Sequence, residues 1–229
     1  MSTPCLSVHP LTRAPACAAR RATALLLLGA ATLFAVRPLA ADESALLRQL
    51  ADGTPAEKDS ARQALLTGAT AAAVPALAAQ LARPETFDNA CLLLEALGLP
   101  EADAVLRAAL TSLDGREQAG VIAALTRRAD TAAEAAILAL AGRPQPVRSA
   151  ALAYLGKRAT PGALAALAAA PQDEVTADAT LAAAETLLAR GDKEQALALY
   201  ARLSDDARQA GHIRLAAFCA RIAADPDRA

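Results

Sequence analysis

The strongest constraint on this chain is a repeat of about 30 residues that begins near Pro55 and runs almost to the end. Cut at that step, the segments start at Pro55, Glu85, Gly115, Gln145 and Val175. One column then reads Ala61, Cys91, Val121, Ala151 and Leu181, all small or apolar. A second reads Leu65, Glu95, Leu125 and Leu155; a third reads Leu77, Arg107, Ile137 and Leu167. The two polar exceptions fall in one segment, and each has a leucine one position earlier, Leu94 and Leu106. A one-residue phase shift in that segment accounts for both. Punctuation repeats too, since Arg83-Pro84 and Arg143-Pro144 lie two periods apart. A fixed period of this size marks a stack of short units, because one helical pair cannot bury its apolar face without neighbours.

The units read as helices. Alanine dominates and is the best helix former. Apolar residues recur at helical spacing, as at Leu181, Ala184 and Leu188. Gly68, Gly98, Gly142, Gly156 and Gly191 fall near expected helix ends, where a positive φ is often needed. Pro55, Pro84, Pro100, Pro144, Pro146, Pro161 and Pro171 fall at helix starts or just outside, and Pro75 in a first turn. No stretch alternates β-branched residues, so no sheet is expected. The expected fold is all-α: five to six antiparallel hairpins stacked as an α-solenoid over residues 42–229, behind an export signal over residues 1–41.

The segment Gln145-Pro146-Val147-Arg148-Ser149-Ala150-Ala151-Leu152-Ala153-Tyr154-Leu155-Gly156 resembles the first helix of a bacterial HEAT-like repeat, with its Val-Arg-x-Ala-Ala-x-x-x-Leu-Gly pattern. His212-Ile213-Arg214-Leu215-Ala216-Ala217 and Lys58-Asp59-Ser60-Ala61-Arg62-Gln63-Ala64-Leu65 resemble it less completely. Around residues 181–203, Gly191-Asp192 followed by Ala196-Leu197-Ala198-Leu199-Tyr200 resembles a tetratricopeptide hairpin. The HEAT resemblance implies that Arg148 and Arg214 bond to neighbouring turns and hold one repeat to the next. It also implies a concave face, lined mainly by second helices, that binds another protein. Some HEAT-like proteins act on tetrapyrroles, which keeps a lyase-like enzyme as an alternative. An accessory or regulatory subunit of an exported enzyme is another.

The N-terminus reads as an export signal. Arg13, Arg20 and Arg21 precede an uncharged run from Ala22 to Val36, and no acidic residue occurs before Asp42. Small residues at Ala40 and Ala41 suit cleavage. The alternative is an uncleaved anchor, the one route by which this chain would meet a membrane; the apolar run falls short of the ~20 residues a span needs. Arg20-Arg21 also raises a twin-arginine route. Without residues 1–41, 19 basic and 24 acidic side chains remain, a net charge of −5. They are scattered, which argues against nucleic acid.

Chemistry-bearing residues are sparse. Beyond residue 41 the chain has one histidine, His212, and two cysteines, Cys91 and Cys219. The cysteines lie about four repeats apart, too far for a disulfide, and Cys91 sits in an apolar column. No CxxC, HExxH, GxSxG or Gly-rich phosphate loop occurs. The acidic pairs Asp173-Glu174 and Asp205-Asp206 suit helix N-termini. Neither a cofactor nor a metal is expected, nor catalysis. Arg128 and Arg158 share a column at the ends of successive first helices. They read either as a short positive ladder for a partner's carboxylates or as cations favoured by helix C-termini.

Overall fold

A computed structural model describes residues 39–225. The charged and apolar parts of the expected export signal precede residue 39 and lie outside the described residues. Among the described residues the chain is all-helical, with twelve α-helices, one 3-10 turn and no strand. The helices are α1 (Leu39–Asp52), α2 (Pro55–Gly68), α3 (Val74–Leu81), α4 (Pro84–Leu97), α5 (Pro100–Ser112) and α6 (Gly115–Arg127). There follow α7 (Glu134–Leu140), α8 (Val147–Arg158), α9 (Pro161–Ala169), α10 (Glu174–Ala189), α11 (Lys193–Asp205) and α12 (Gly211–Ala224).

The boundaries follow local chemistry. Proline opens α2, α4, α5 and α9, where its missing N–H leaves no bond unmade. Thr54 and Glu57 close a capping box on α2: the threonine accepts from the Glu57 N–H while the glutamate accepts from the Thr54 N–H at 2.8 Å. Asp173 caps α10 by accepting from the Thr176 N–H at 3.1 Å.

Four alternate helices are each followed by a left-handed residue. Gly98 follows α4 with φ 67°, Ala129 follows α6 with φ 52°, Ala159 follows α8 with φ 45°, and Gly191 follows α10 with φ 90°. Only two of the four are glycines, so the sequence marks this turn incompletely. Gly156, expected to end a helix, lies inside α8 instead. A Cβ there would stand 2.4 Å from the Ala179 carbonyl oxygen of α10, so this glycine lets two helix backbones approach.

The buried residues come from every helix from α1 to α12. Ala61, Val121 and Ala151 are fully buried, and Leu65, Leu125 and Leu155 nearly or wholly so. Leu94 and Leu106, the leucines displaced by one position, are also fully buried. So are Leu77 and Ile137, with Leu167 close behind. Glu95 and Arg107 are only partly buried. A rotation of about 100° per residue carries the apolar position to its neighbour and leaves the charge at the rim.

Packing follows a regular order. α2 touches α4, α4 touches α6, α6 touches α8, α8 touches α10, and α10 touches α12. The row is therefore continuous. α3, α5, α7, α9 and α11 lie between its members in sequence, and of their consecutive pairs only α3 and α5 pack appreciably against each other. α1, which the repeat does not cover, packs on α2 at the start of the row. Its Glu43 is 4% exposed and accepts from the Thr70 N–H at 2.6 Å and the Thr70 hydroxyl at 3.0 Å. No helix of the described residues is long and apolar enough to cross a membrane.

Candidate binding surface

The charged side chains that the sequence singles out are occupied within the chain. Arg128 is 12% exposed and ion-pairs with Asp103 at the start of α5. It also donates to the Glu95 carbonyl at 2.7 Å and towards the Leu99 carbonyl at 3.5 Å, across the α4–α5 turn. This guanidinium holds the Asp103 carboxyl below its ordinary range, against the opposing effect of burial. Arg158 is 20% exposed and pairs with Glu134 of α7 at 3.2 Å, while the Thr160 hydroxyl donates to the same carboxylate. Neither Arg128 nor Arg158, read from the sequence either as a positive ladder or as helix C-terminal cations, stands as a free cation: each is paired with an acid of the chain. Both point inward because the left-handed residue that follows each one turns the chain, and the neighbouring segment supplies the acid.

Arg148 donates to both Asp173 oxygens at 2.6 and 3.0 Å, to the Thr176 hydroxyl at 2.8 Å and to the Pro171 carbonyl at 3.3 Å. These bonds join α8 to the start of α10. The paired guanidinium drives the Asp173 carboxyl well below the usual carboxylate range, helped by the Thr176 N–H and hydroxyl. Arg214 donates to the Ser204 carbonyl at 3.2 Å and joins α12 to the end of α11.

Other ties span a similar length of chain. Arg116 donates to Asp88 at 2.7 Å, and Arg127 forms a two-point pair with Glu95 at 2.6 and 2.7 Å. Arg107 pairs with Asp130, whose carbonyl also accepts from the Tyr154 hydroxyl. Desolvation raises the Tyr154 phenol to about 12, so it stays a donor at any ordinary pH. Arg116–Asp88 is two-thirds exposed on both sides and adds little.

Beside that column, sequence reasoning missed two cations that do reach the surface. They are Arg127 and Lys157, one residue before Arg128 and Arg158 and also 30 residues apart. Arg127 is 60% exposed although paired with Glu95. Lys157 is exposed and has no ion partner among the described residues. A one-residue step turns a helical side chain by about 100°, which separates inside from outside here.

Lys157 belongs to the most apolar of the larger grooves. Thr126 of α6, Ser149, Ala153 and Lys157 of α8, and Val175, Asp178, Ala179 and Ala182 of α10 line a trough of about 380 Å³. Its floor is built of small side chains, as the close approach at Gly156 requires. Asp178 on the opposite wall is exposed and also without an ion partner. The trough thus carries one free charge of each sign on an apolar floor. A smaller groove of about 210 Å³ lies between α3 and α5, lined by Ala78, Leu81, Ala82, Val105, Ala108, Ala109, Ser112 and Leu113. It bears no charge.

Groups with catalytic potential are dispersed. His212 pairs with Glu174 at 3.1 Å, and both side chains are about two-thirds exposed. Cys91 is buried, and desolvation with the nearby Glu95 raises its thiol to about 11, which keeps it protonated. Cys219 is exposed, and both thiols are free. Among the described residues no group of three His, Cys, Asp or Glu side chains is placed to hold a metal ion. Asp206 accepts from the Arg208 side chain and backbone, which lowers its carboxyl well below the usual range. No protein-family model matches the chain, and the comparison with curated proteins finds no match.

Proposed function

We propose that this chain is an exported, non-enzymatic α-solenoid of HEAT-like hairpins, with one tetratricopeptide-like hairpin near residues 181–203, that binds another protein. The repeat reading draws support from two independent periodicities. The buried columns recur at about 30 residues, and so do the left-handed residues at 98, 129, 159 and 191.

The observation that carries the binding reading is the trough across α6, α8 and α10. Its floor of alanine accepts a close-lying chain, and Lys157 and Asp178 offer one charge each to fix its register. In a bent stack, helices crowd on the inner side. The α2–α4–α6–α8–α10 row is the crowded one. On this reading the first helices of the hairpins line the proposed binding face, in place of the second helices named from the sequence.

Export rests on the residues before Asp42 alone. Binding can be tested directly. Ala153 is exposed on the trough floor, so Ala153→Arg fills the trough without touching the core. The proposal expects the tagged chain to co-purify a stoichiometric protein from the extracytoplasmic fraction and the Ala153→Arg variant, equally stable, to lose it. Equal recovery of the same partner by both would show that the trough is not the binding face.

A further inference from the structure

The exposed face of the row continues past the trough. Leu92 of α4 is 39% exposed. Once the one-residue slip of its unit is allowed for, it stands in the column of Ala123 and Ala153, and Ala153 lines the trough. Asp88 and Glu95 flank Leu92 on the same face of α4. Both are tied to α6, Asp88 to Arg116 at 2.7 Å and Glu95 to Arg127 at 2.6 Å. Arg127 adjoins Thr126, which lines the trough on the α6 side. The apolar surface therefore runs on from the trough to α4.

We propose that the partner supplies an extended segment of about 7–9 residues that crosses the row from α4 to α10. It sets an apolar side chain against Leu92, small side chains over Ala153 and Ala182, and an acid and a base against Lys157 and Asp178. The proposal rests on the protein-binding reading of the trough and gives its occupant a conformation and a composition. Three observations favour it.

The first is direction. Across α6, α8 and α10 the trough spans two helix spacings, ~16–20 Å. Along α8, from Ser149 to Lys157, it spans only about 12 Å. Its longer dimension crosses the helices. The second is section. A volume of about 380 Å³ over that length is a mean cross-section of about 20 Å². An extended chain, ~4.8 Å wide, fits it; a helix, ~10–12 Å across, does not. The third is polarity. Lys157 and Asp178 are exposed, lie on opposite walls and have no ion partner among the described residues. A segment with one charge of each sign satisfies both, whereas a segment of one sign is repelled at one wall. Thr126 and Ser149 donate to the Ile122 and Pro146 carbonyls one turn earlier, at 2.7 and 2.8 Å. Their oxygens keep lone pairs that can accept backbone N–H groups, which an extended chain offers and a helix interior does not.

Photocrosslinking from two positions tests this. A benzophenone amino acid is placed at Leu92 or at Ala153 of the full chain in intact cells, and the partner residue in each adduct is located by mass spectrometry. α4 and α8 lie two spacings apart, so an extended segment sets its two labelled residues about 5–6 apart in sequence. A helix laid the same way sets them about 11–13 apart, and a folded surface sets them on unrelated segments. The expected separation is the first. Either of the others overturns the proposal and leaves the trough as the binding face, and so do adducts from Ala153 with none from Leu92. No adduct from Ala153 removes the face itself, and the proposal with it. Leu92→Gln, at a position already partly exposed, should lower the Ala153 adduct yield about fivefold at an unchanged melting temperature; an undiminished yield also overturns the proposal.

Discussion

Gly156→Ala is the perturbation that most sharply probes how the row is packed. The added methyl would lie 2.4 Å from the Ala179 carbonyl oxygen, 3.2 Å from its carbon and 3.3 Å from its Cα. All three are backbone atoms of α10, so no side-chain rotation relieves them. Restoring ordinary contact requires α8 and α10 to part by about 1 Å, and a close-packed interface resists that. Overpacking of this kind costs up to ~3 kcal/mol. Alanine returns ~1 kcal/mol through its better helix propensity. The net loss is about 2 kcal/mol, which for a domain of this size lowers the melting temperature by roughly 4–8 °C. Gly142→Ala is the paired control, because nothing lies within 4 Å of a Cβ there and its φ is not positive. It should be neutral or stabilising by up to ~1 kcal/mol. Thermal melts followed by circular dichroism measure both. A Gly156→Ala variant melting at or above the wild-type temperature would refute the close-approach account of this glycine.

Three further expectations follow from the geometry. Ala129 is exposed with φ 52°, so Ala129→Gly should raise stability by about 0.5–1 kcal/mol in a denaturant titration. Ala159 is 4% exposed with a similar φ, and there the lost methyl contacts should cancel most of that gain. Asp173 has its carboxyl lowered chiefly by Arg148, so its contribution is complete above about pH 4, the unfolded value, and fades as pH falls below it. Asp173→Asn should be less stable than wild type at pH 7, and the difference should shrink steadily as pH falls from about 4 to about 2; a constant difference across that range would contradict the pairing. Cys91 is buried and protonated, so Cys91→Ser should leave the number of rapidly reacting thiols in the native chain unchanged in a titration with a chromogenic disulfide, whereas Cys219→Ser should lower it by one.

How far the sequence discloses this arrangement depends on the kind of interaction. Apolar columns are legible because burial repeats with the helix period: Ala61, Val121 and Ala151 occupy equivalent buried places. Even the slip in the second unit is legible, since Leu94 and Leu106 announce it beside Glu95 and Arg107. Helix starts are legible through proline, as at Pro55, Pro84, Pro100 and Pro161. Helix ends are less so, because Ala129 and Ala159 adopt a conformation that a sequence reader assigns to glycine. Gly156 misleads in the opposite direction, since the close approach it serves involves α10, more than 20 residues away. The surface was harder still. Arg128 and Arg158 share a column with the right chemistry, yet the residues that reach solvent are Arg127 and Lys157. Periodicity finds a column, but only packing against the neighbouring unit decides which side of it faces water. The ties from Arg116 to Asp88 and from Arg148 to Asp173 are long-range in sequence and leave no local pattern.

The central claim is that the chain binds a protein through the crowded first-helix row. Site-specific photocrosslinking tests it most directly, with the reactive group placed at Ala153 on the trough floor or at the exposed Ala168 on α9 of the same hairpin. The account predicts one discrete adduct from Ala153 in intact cells and none from Ala168. An adduct from Ala168 alone, or from neither position, would contradict it.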